Sequence, residues 1–205
     1  IDSLVLHCAQ SEPFDSLCVL NAAQWFYGTG NRTLGTGFFE QLARICPDSP
    51  EPKRNLVAIR LSEKDHQGAL DLCRVLLREE MTDSERSELL GTCADCLCNL
   101  SRFREGFKEY EKALELDPYN VSALNNYAYT LSERGKRLRK AEKMACRVIG
   151  LSPENPTFLD TYGWILHLRG KISMARTRLI CKLTVITASC VLIFDNKGYR
   201  SYCCL

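Results

Sequence analysis

The thiols of Cys93, Cys96 and Cys98 stand close together in the run Cys93-Ala94-Asp95-Cys96-Leu97-Cys98, a wording that could bind a metal. A structural zinc site is closed by further ligands, and no second cysteine or histidine pair lies at zinc-finger spacing from this run. The three histidines, His7, His66 and His167, are scattered, and no Ser-His-Asp or Cys-His wording accompanies them. His167 and Asp160 would share a helix face two turns apart, a pairing that chance supplies often. The stretch from Gly28 to Gly37 is glycine-rich, but it lacks the Gly-Lys-Ser/Thr ending of a phosphate loop and follows no strand, so it reads as a turn. Catalysis, a cofactor and a metal are therefore not expected. What remains is the chemistry of recognition. Asn21, Gln24, Asn55, Asn125 and Asn126 carry amides that can satisfy a peptide backbone. Tyr129 and Trp164 offer large contact area at low entropy cost, and Arg54, Asp95, Asp160 and His167 add charge and further hydrogen-bonding groups.

The elements that must position these residues repeat. From Leu124-Asn125-Asn126-Tyr127-Ala128-Tyr129 to Asn155-Pro156-Thr157-Phe158-Leu159-Asp160-Thr161-Tyr162-Gly163-Trp164, one pattern of small residues and turns returns about every 34 residues, which signals a solenoid. Between Ser87 and Asn120, Leu90 and Ala94 open a first helix and Phe103 is expected at its far end. Gly106, Tyr110 and Ala113 line a second helix before Asp117-Pro118 stops it. Small residues let two helices approach closely, large ones fill the adjoining gap, and proline lacks the donor needed to continue. The pattern returns from Val121 with Leu124, Tyr127, Ala128, Leu131, Ala141 and Pro153, with one extra residue in the Arg134-Gly135-Lys136 turn. It returns again from Pro156 with Leu159, Tyr162, Gly163, Leu166, Gly170 and Ala175. Ser16 to Ser49 is a degenerate copy, with Val19, Ala23 and Phe26, then Gly35, Phe39 and Leu42 before Pro47. Pro50 to Arg86 is the weakest, with Met81 where proline is expected. Thr82-Asp83-Ser84-Glu85 then supplies cap-forming residues, so the next helix should begin near Ser84.

On these residues the chain resembles the tetratricopeptide repeat family. The wording from Asn125 to Ala128 and from Asn155 to Trp164 looks most like bacterial members, including lipid-anchored envelope proteins. The resemblance implies an all-α, right-handed superhelical solenoid of stacked helix-turn-helix units. The expected divisions are a second helix of a truncated preceding repeat at 1–15, an array at 16–178 and a divergent tail at 179–205. Within the array, repeats fall at about 16–49, 50–86, 87–120 and 121–155, with a partial one at 156–178. First helices form the concave wall of such an array. Counted from each repeat start, Asn21, Gln24, Arg54, Asn55, Asp95, Asn125, Asn126, Tyr129, Asp160, Trp164 and His167 are the groove-facing candidates. The expected function is a non-catalytic adaptor or scaffold that binds a protein or peptide in that groove. The alternative is a structural spacer or homo-oligomerisation module within a longer envelope lipoprotein. One variant of the family clamps the carboxylate terminus of chaperones with lysine, asparagine and arginine. The corresponding positions here are Leu20, Gln24, Asn55, Glu88 and Thr92, or one repeat later Arg54, Ala58, Thr92, Ser122 and Asn126. Neither set makes the clamp, so a different partner is expected.

Composition bounds the rest. With 45% hydrophobic and 25% charged residues, the 205-residue chain can bury a continuous core. A net charge of +2 provides no global field for nucleic acid. The basic cluster Arg134, Lys136, Arg137, Arg139, Lys140, Lys143 and Arg147 is diluted by Glu133 and Glu142 and has no interleaved stacking aromatics, so it reads as a solvated convex face. Most of the twelve cysteines fall inside helical patterns and read as reduced, buried thiols. The apolar run from Leu179 is broken by Lys182 and is shorter than the roughly 20 residues a membrane-spanning helix needs. With Pro13 aligned to the repeat proline, the chain is expected to open in mid-repeat, Val5 and Cys8 being packing positions. Its tail reads as a capping helix near Arg178 to Ala188, a hairpin about Asp195-Asn196-Lys197-Gly198, or an altered sequence. The resemblance suggests the bacterial envelope, with the cytoplasm as alternative; a lipobox cysteine ahead of Ile1 would favour the former.

Overall fold

The computed structural model describes His7 and residues 15–171, 193–195 and 198–200. Nine helices lie among them: α1 (Ser16–Gly28), α2 (Arg32–Ile45), α3 (Pro50–Ser62), α4 (His66–Leu76), α5 (Asp83–Asn99), α6 (Phe103–Leu116), α7 (Val121–Glu133), α8 (Leu138–Leu151) and α9 (Pro156–Leu168). Two short strands, β1 (Ile193–Asp195) and β2 (Gly198–Arg200), pair antiparallel with Asp195 opposite Gly198. The truncated helix expected at 1–15 and the capping helix expected near 178–188 lie outside the described residues, apart from a helical His7.

Local sequence sets the helix starts. Asp15 accepts hydrogen bonds from the backbone N–H of Leu17 (2.9 Å) and Cys18 (3.3 Å), Asp65 from Gly68 (2.9 Å) and Asn155 from Thr157 (3.0 Å). Each side chain satisfies donors that the first turn of a helix leaves over. Proline, with no N–H to lose, opens α3 and α9. The ends share one device. Lys64, Ser101, Gly135 and Gly170 adopt left-handed backbone (φ 60–70°), and the N–H of the next residue reaches back to a carbonyl in the last turn. These bonds run from Asp65 to Arg60 (2.8 Å), Arg102 to Leu97 (2.8 Å), Lys136 to Leu131 (3.0 Å) and Lys171 to Leu166 (2.9 Å). Four first helices thus end in the same Schellman-type turn. This turn corrects one expectation: Phe103 does not close α5 but opens α6, because Ser101 has already reversed the chain.

At the start of α5 the expected cap is a full capping box. The Glu85 N–H donates to the Thr82 hydroxyl (3.3 Å), and the Thr82 N–H (3.0 Å) and hydroxyl (2.9 Å) donate to the Glu85 carboxylate. These bonds, with a lesser contribution from Arg54, lower the Glu85 pKa from 4.5 to about 2. A carboxyl depressed in the folded state stabilises it fully above the unfolded value and loses that contribution as pH falls through the folded one. The Glu85 contribution is therefore present above 4.5 and gone near 2. In Thr82→Ala the hydroxyl is lost and the backbone bond stays, so an NMR titration of the Glu85 carboxyl should move partway back towards 4.5. An unmoved midpoint would show that the box does not set it.

The chain divides into two compact units, residues 1–123 and 124–205. In the first, Val19, Ala22, Ala23 and Phe26 of α1 pack with Phe38, Phe39 and Leu42 of α2 and with Leu56 and Ile59 of α3. A second cluster joins Val57 to Ala69, Leu70, Cys73 and Leu76 of α4 and to Cys93, Cys96 and Leu97 of α5. The weakest repeat is thus well packed, and two cations replace its missing proline stop. Lys53, 7% exposed, donates to Glu79 (2.6 Å) and to the Pro47 carbonyl, while Arg86 donates to the carbonyls of Leu77 (2.9 Å) and Glu79 (3.2 Å) just past α4.

Three side-chain bonds organise the junction of α5, α6 and α7. The buried Ser87 hydroxyl donates to the Ala113 carbonyl (2.8 Å) and accepts from the Asn120 amide (2.9 Å), while Asn120 Oδ1 caps α7 through the Ala123 N–H (2.9 Å). Asn120→Ala removes the cap and a buried partner together. The expected cost is about 2 kcal/mol, read as a lower urea midpoint; an unchanged midpoint would remove Asn120 from this role.

In the second unit Leu124, Tyr127, Ala128 and Leu131 of α7, Ala141, Ala145 and Val148 of α8, and Tyr162, Ile165 and Leu166 of α9 are buried. Lys140 donates to the Tyr127 hydroxyl (3.2 Å) and lies 4.6 Å over its ring, tying α8 to α7. Glu142 of α8 binds Lys171 (2.8 Å) and Arg169, which follow α9.

Candidate interaction surface

In the first unit, Asn21 and Gln24 are exposed on α1. Arg54 is exposed but paired with Glu85 (3.1 Å), and the half-buried Asn55 spends its amide on the Glu51 carbonyl of its own helix (2.9 Å). Asp95 is half-buried and accepts a hydrogen bond from the buried Tyr110 hydroxyl, which ties α5 to α6. A cavity of about 340 Å³ opens beside it, lined by Glu88, Gly91, Thr92 and Asp95 of α5 and by Asn120, Ser122 and Ala123. Glu88, Gly91 and Thr92 are not among the groove-facing candidates, although Glu88 and Thr92 stand at positions corresponding to the clamp. The signal for them is their spacing, one turn either side of each other and of Asp95 on one face of α5.

In the second unit the candidates fall on α7 and α9. Asn125 is 4% exposed; its Nδ2 donates to Asn126 Oδ1 (3.3 Å), and its own Oδ1 has no hydrogen-bond partner among the described residues. One turn on, Tyr129 is 44% exposed and its hydroxyl donates to Glu133 (3.0 Å). The i,i+4 spacing of Tyr129 and Glu133 could have identified this pair in the sequence. On α9, Asp160 is half-buried, and burial pushes its carboxyl above the usual range. Trp164 is half-buried, with its ring stacked on His167 (centroids 5.8 Å apart, 24° between planes). Burial, the bond to Glu133, and the charges of Glu133 and Asp160 raise the Tyr129 hydroxyl.

The metal-like cysteine run is packed into the core. Cys93, Cys96 and Cys98 are buried, and Cys93 shares a hydrogen bond with Cys73 that, with burial, raises its pKa. Burial pushes Cys96 up to about 12 and Cys98 up to about 11. Among the described residues no group of three or more His, Cys, Asp or Glu could hold a metal ion. No helix among them is long and apolar enough to cross a membrane.

The tetratricopeptide repeat family model matches residues 109–143, the end of α6 through the start of α8. No curated protein matches the chain by sequence. Among solved structures, the chain resembles a tetratricopeptide repeat protein from Parabacteroides merdae at 15% identity and a TM-score of 0.74, over 92% of this chain and 73% of that one. It resembles YrrB, described as a tetratricopeptide repeat protein with an unusual peptide-binding site, at 13% identity and a TM-score of 0.62, over 90% and 93%. It also resembles MamA from Desulfovibrio magneticus, at 15% identity and a TM-score of 0.65, over 83% and 94%. At these identities the likeness is one of fold. The matched unit at 109–143, the recurring helix pair with its shared turn and the fold common to these structures show that the chain carries a tetratricopeptide repeat and has the all-α solenoid fold of tetratricopeptide repeat proteins.

Proposed function

We propose that the protein is a non-catalytic adaptor that binds an extended or helical segment of a partner protein on its first-helix faces, with α7 and α9 as the principal contact. The tetratricopeptide fold serves as a protein–protein interaction scaffold, and it supports the coarser part of this reading. The observation that carries the finer reading is Tyr129: a large aromatic, 44% exposed on a first helix, one turn from a buried amide whose oxygen has no partner among the described residues. Aromatic anchors flanked by backbone-binding amides are the residues that dominate peptide recognition.

Selection of a random-peptide phage library on the immobilised full chain tests the proposal, with an unrelated helical-repeat protein as control. Peptides recovered by this chain alone, whose binding is lost when Tyr129 and Trp164 are changed, are the expected result. Failure to recover any peptide, with no protein captured by the chain from extracts, would overturn it.

A further inference from the structure

The basic run from Arg134 to Arg147 lies at the surface, and three features of α8 give it a use beyond solvation. The first is where its charge sits. Six of its seven cations are exposed: Arg134, Lys136 and Arg137 in the turn before α8, and Arg139, Lys143 and Arg147 along the helix. The other side of α8 buries Ala141, Met144, Ala145, Val148 and Ile149 in the core. Arg139, Lys143 and Arg147 are four residues apart, so they make one stripe with a step of about 6 Å. The second feature is that the chain does not neutralise this stripe. Glu142 is the only carboxylate from Arg134 to Leu151, and it is engaged by Lys171 (2.8 Å) and Arg169. Glu133, just ahead of the run, accepts from the Tyr129 hydroxyl (3.0 Å). Lys136, Arg139 and Lys143 have no ion pair among the described residues.

The third feature is that the arrangement works against the helix itself. Arg139 with Lys143, and Lys143 with Arg147, are like charges at i,i+4, which destabilise a helix, and cations at a helix start oppose its dipole. Every other helix among the described residues begins with a capping side chain, a proline or a first-turn carboxylate. Helix α8 begins with Arg137 in left-handed backbone (φ 49°), with no side-chain cap and no acid in its first turn. Local rules broken together, with no gain inside the fold, are expected where a surface serves a partner. That partner must be anionic. With no aromatic residue from Arg134 to Leu151, the surface gives unpaired bases nothing to stack on, and with its apolar side in the core it gives a bilayer little to bury. Carboxylates fit it better. Alternate side chains of an extended segment share a face about 6.6 Å apart, close to the step of the stripe, and a guanidinium fork matches a carboxylate.

We infer that the exposed side of α8 docks an acidic, extended segment of a partner protein, whose Asp or Glu side chains at alternate residues meet Arg139, Lys143 and Arg147, with Lys136 adding its charge at the start of the helix. This is a second contact, made by residues other than those of the first-helix surface proposed above and independent of it.

The test titrates the full chain into a labelled peptide of alternating glutamate and serine, read by fluorescence anisotropy at low and at physiological salt. The same peptide with glutamine in place of glutamate is the control. The acidic peptide should bind, less tightly as salt is added, and the control should not. Lys136→Gln, Arg139→Gln and Lys143→Gln together should weaken binding about tenfold. Their urea midpoint should be unchanged or higher, because the triple variant breaks no ion pair and removes like-charge repulsion. Tyr129→Ala with Trp164→Ala should leave binding of the acidic peptide unchanged, which separates this contact from the first-helix surface. A control peptide that binds equally, a triple variant that binds as the parent does or loses stability, or loss of binding in the double variant would overturn the inference. So would tighter binding to duplex DNA or to phosphatidylserine vesicles than to the acidic peptide, which would assign the face to nucleic acid or to a membrane.

Discussion

Gly35→Leu is expected to destabilise the chain by about 3 kcal/mol, the upper end of what overpacking a helix contact costs. A Cβ at Gly35 would stand 2.6 Å from the Tyr27 nitrogen and 2.8 Å from the Ala23 carbonyl oxygen, and both are backbone atoms of α1 that cannot swing aside. The side chain must therefore push α2 off α1 and open the contacts of Phe38, Phe39 and Leu42 with Phe26 and Val19. Gly37 lies on the same helix with nothing within 4 Å of its Cβ position. There the only change is helix propensity, and Gly37→Leu should stabilise by about 0.5 kcal/mol. Opposite shifts of the two urea midpoints are the expected result; equal shifts would mean that α1 and α2 do not touch through Gly35. Gly106 repeats the arrangement on α6, with its Cβ position 2.6 Å from Cys98 Sγ and 3.0 Å from the Ala94 carbonyl.

The largest expected effect on binding follows from the double variant Tyr129→Ala, Trp164→Ala. Loss of a buried aromatic anchor at an interface typically costs about 2 kcal/mol or more, so binding of the selected peptides should weaken well over tenfold. Helicity should remain, because Tyr129 is 44% exposed and Trp164 is half-buried. A variant that unfolds would assign both rings to the core and favour a spacer role for the array. One that stays folded and binds every peptide normally would remove this surface from recognition.

Much of the architecture was legible because it is written in steric terms. Ala128 and Gly163 read as helix contacts, and both are buried on first helices. Gly135 and Gly170 read as turns, and both have positive φ. Lys64 and Ser101 hold the same left-handed conformation without being glycine, so their residue types do not announce the turn. That is why Phe103 was placed on the wrong helix. Lys53 was illegible for another reason. A lysine is taken for surface unless its partners are known, and here they are Glu79, just past the second helix of the same repeat, and a carbonyl at the end of the repeat before. The candidate surface shows the same division. Repeat position identifies which residues lie on first helices, but not that Arg54 is engaged by Glu85, 31 positions away, or Asp95 by Tyr110, 15 positions away. Long-range pairing of this kind leaves no local spacing to detect.

The thiols buried between repeats have a kinetic consequence. Cys73 and Cys96 are 0% exposed, Cys93 3% and Cys98 9%, and the last three are also held in the protonated, unreactive form. A thiol that is both covered and protonated reacts with an alkylating reagent only while its surroundings are open. Cys93 and Cys96 therefore report on the parting of α4 from α5, and Cys98, against Gly106, on the parting of α5 from α6, with no label or substitution introduced.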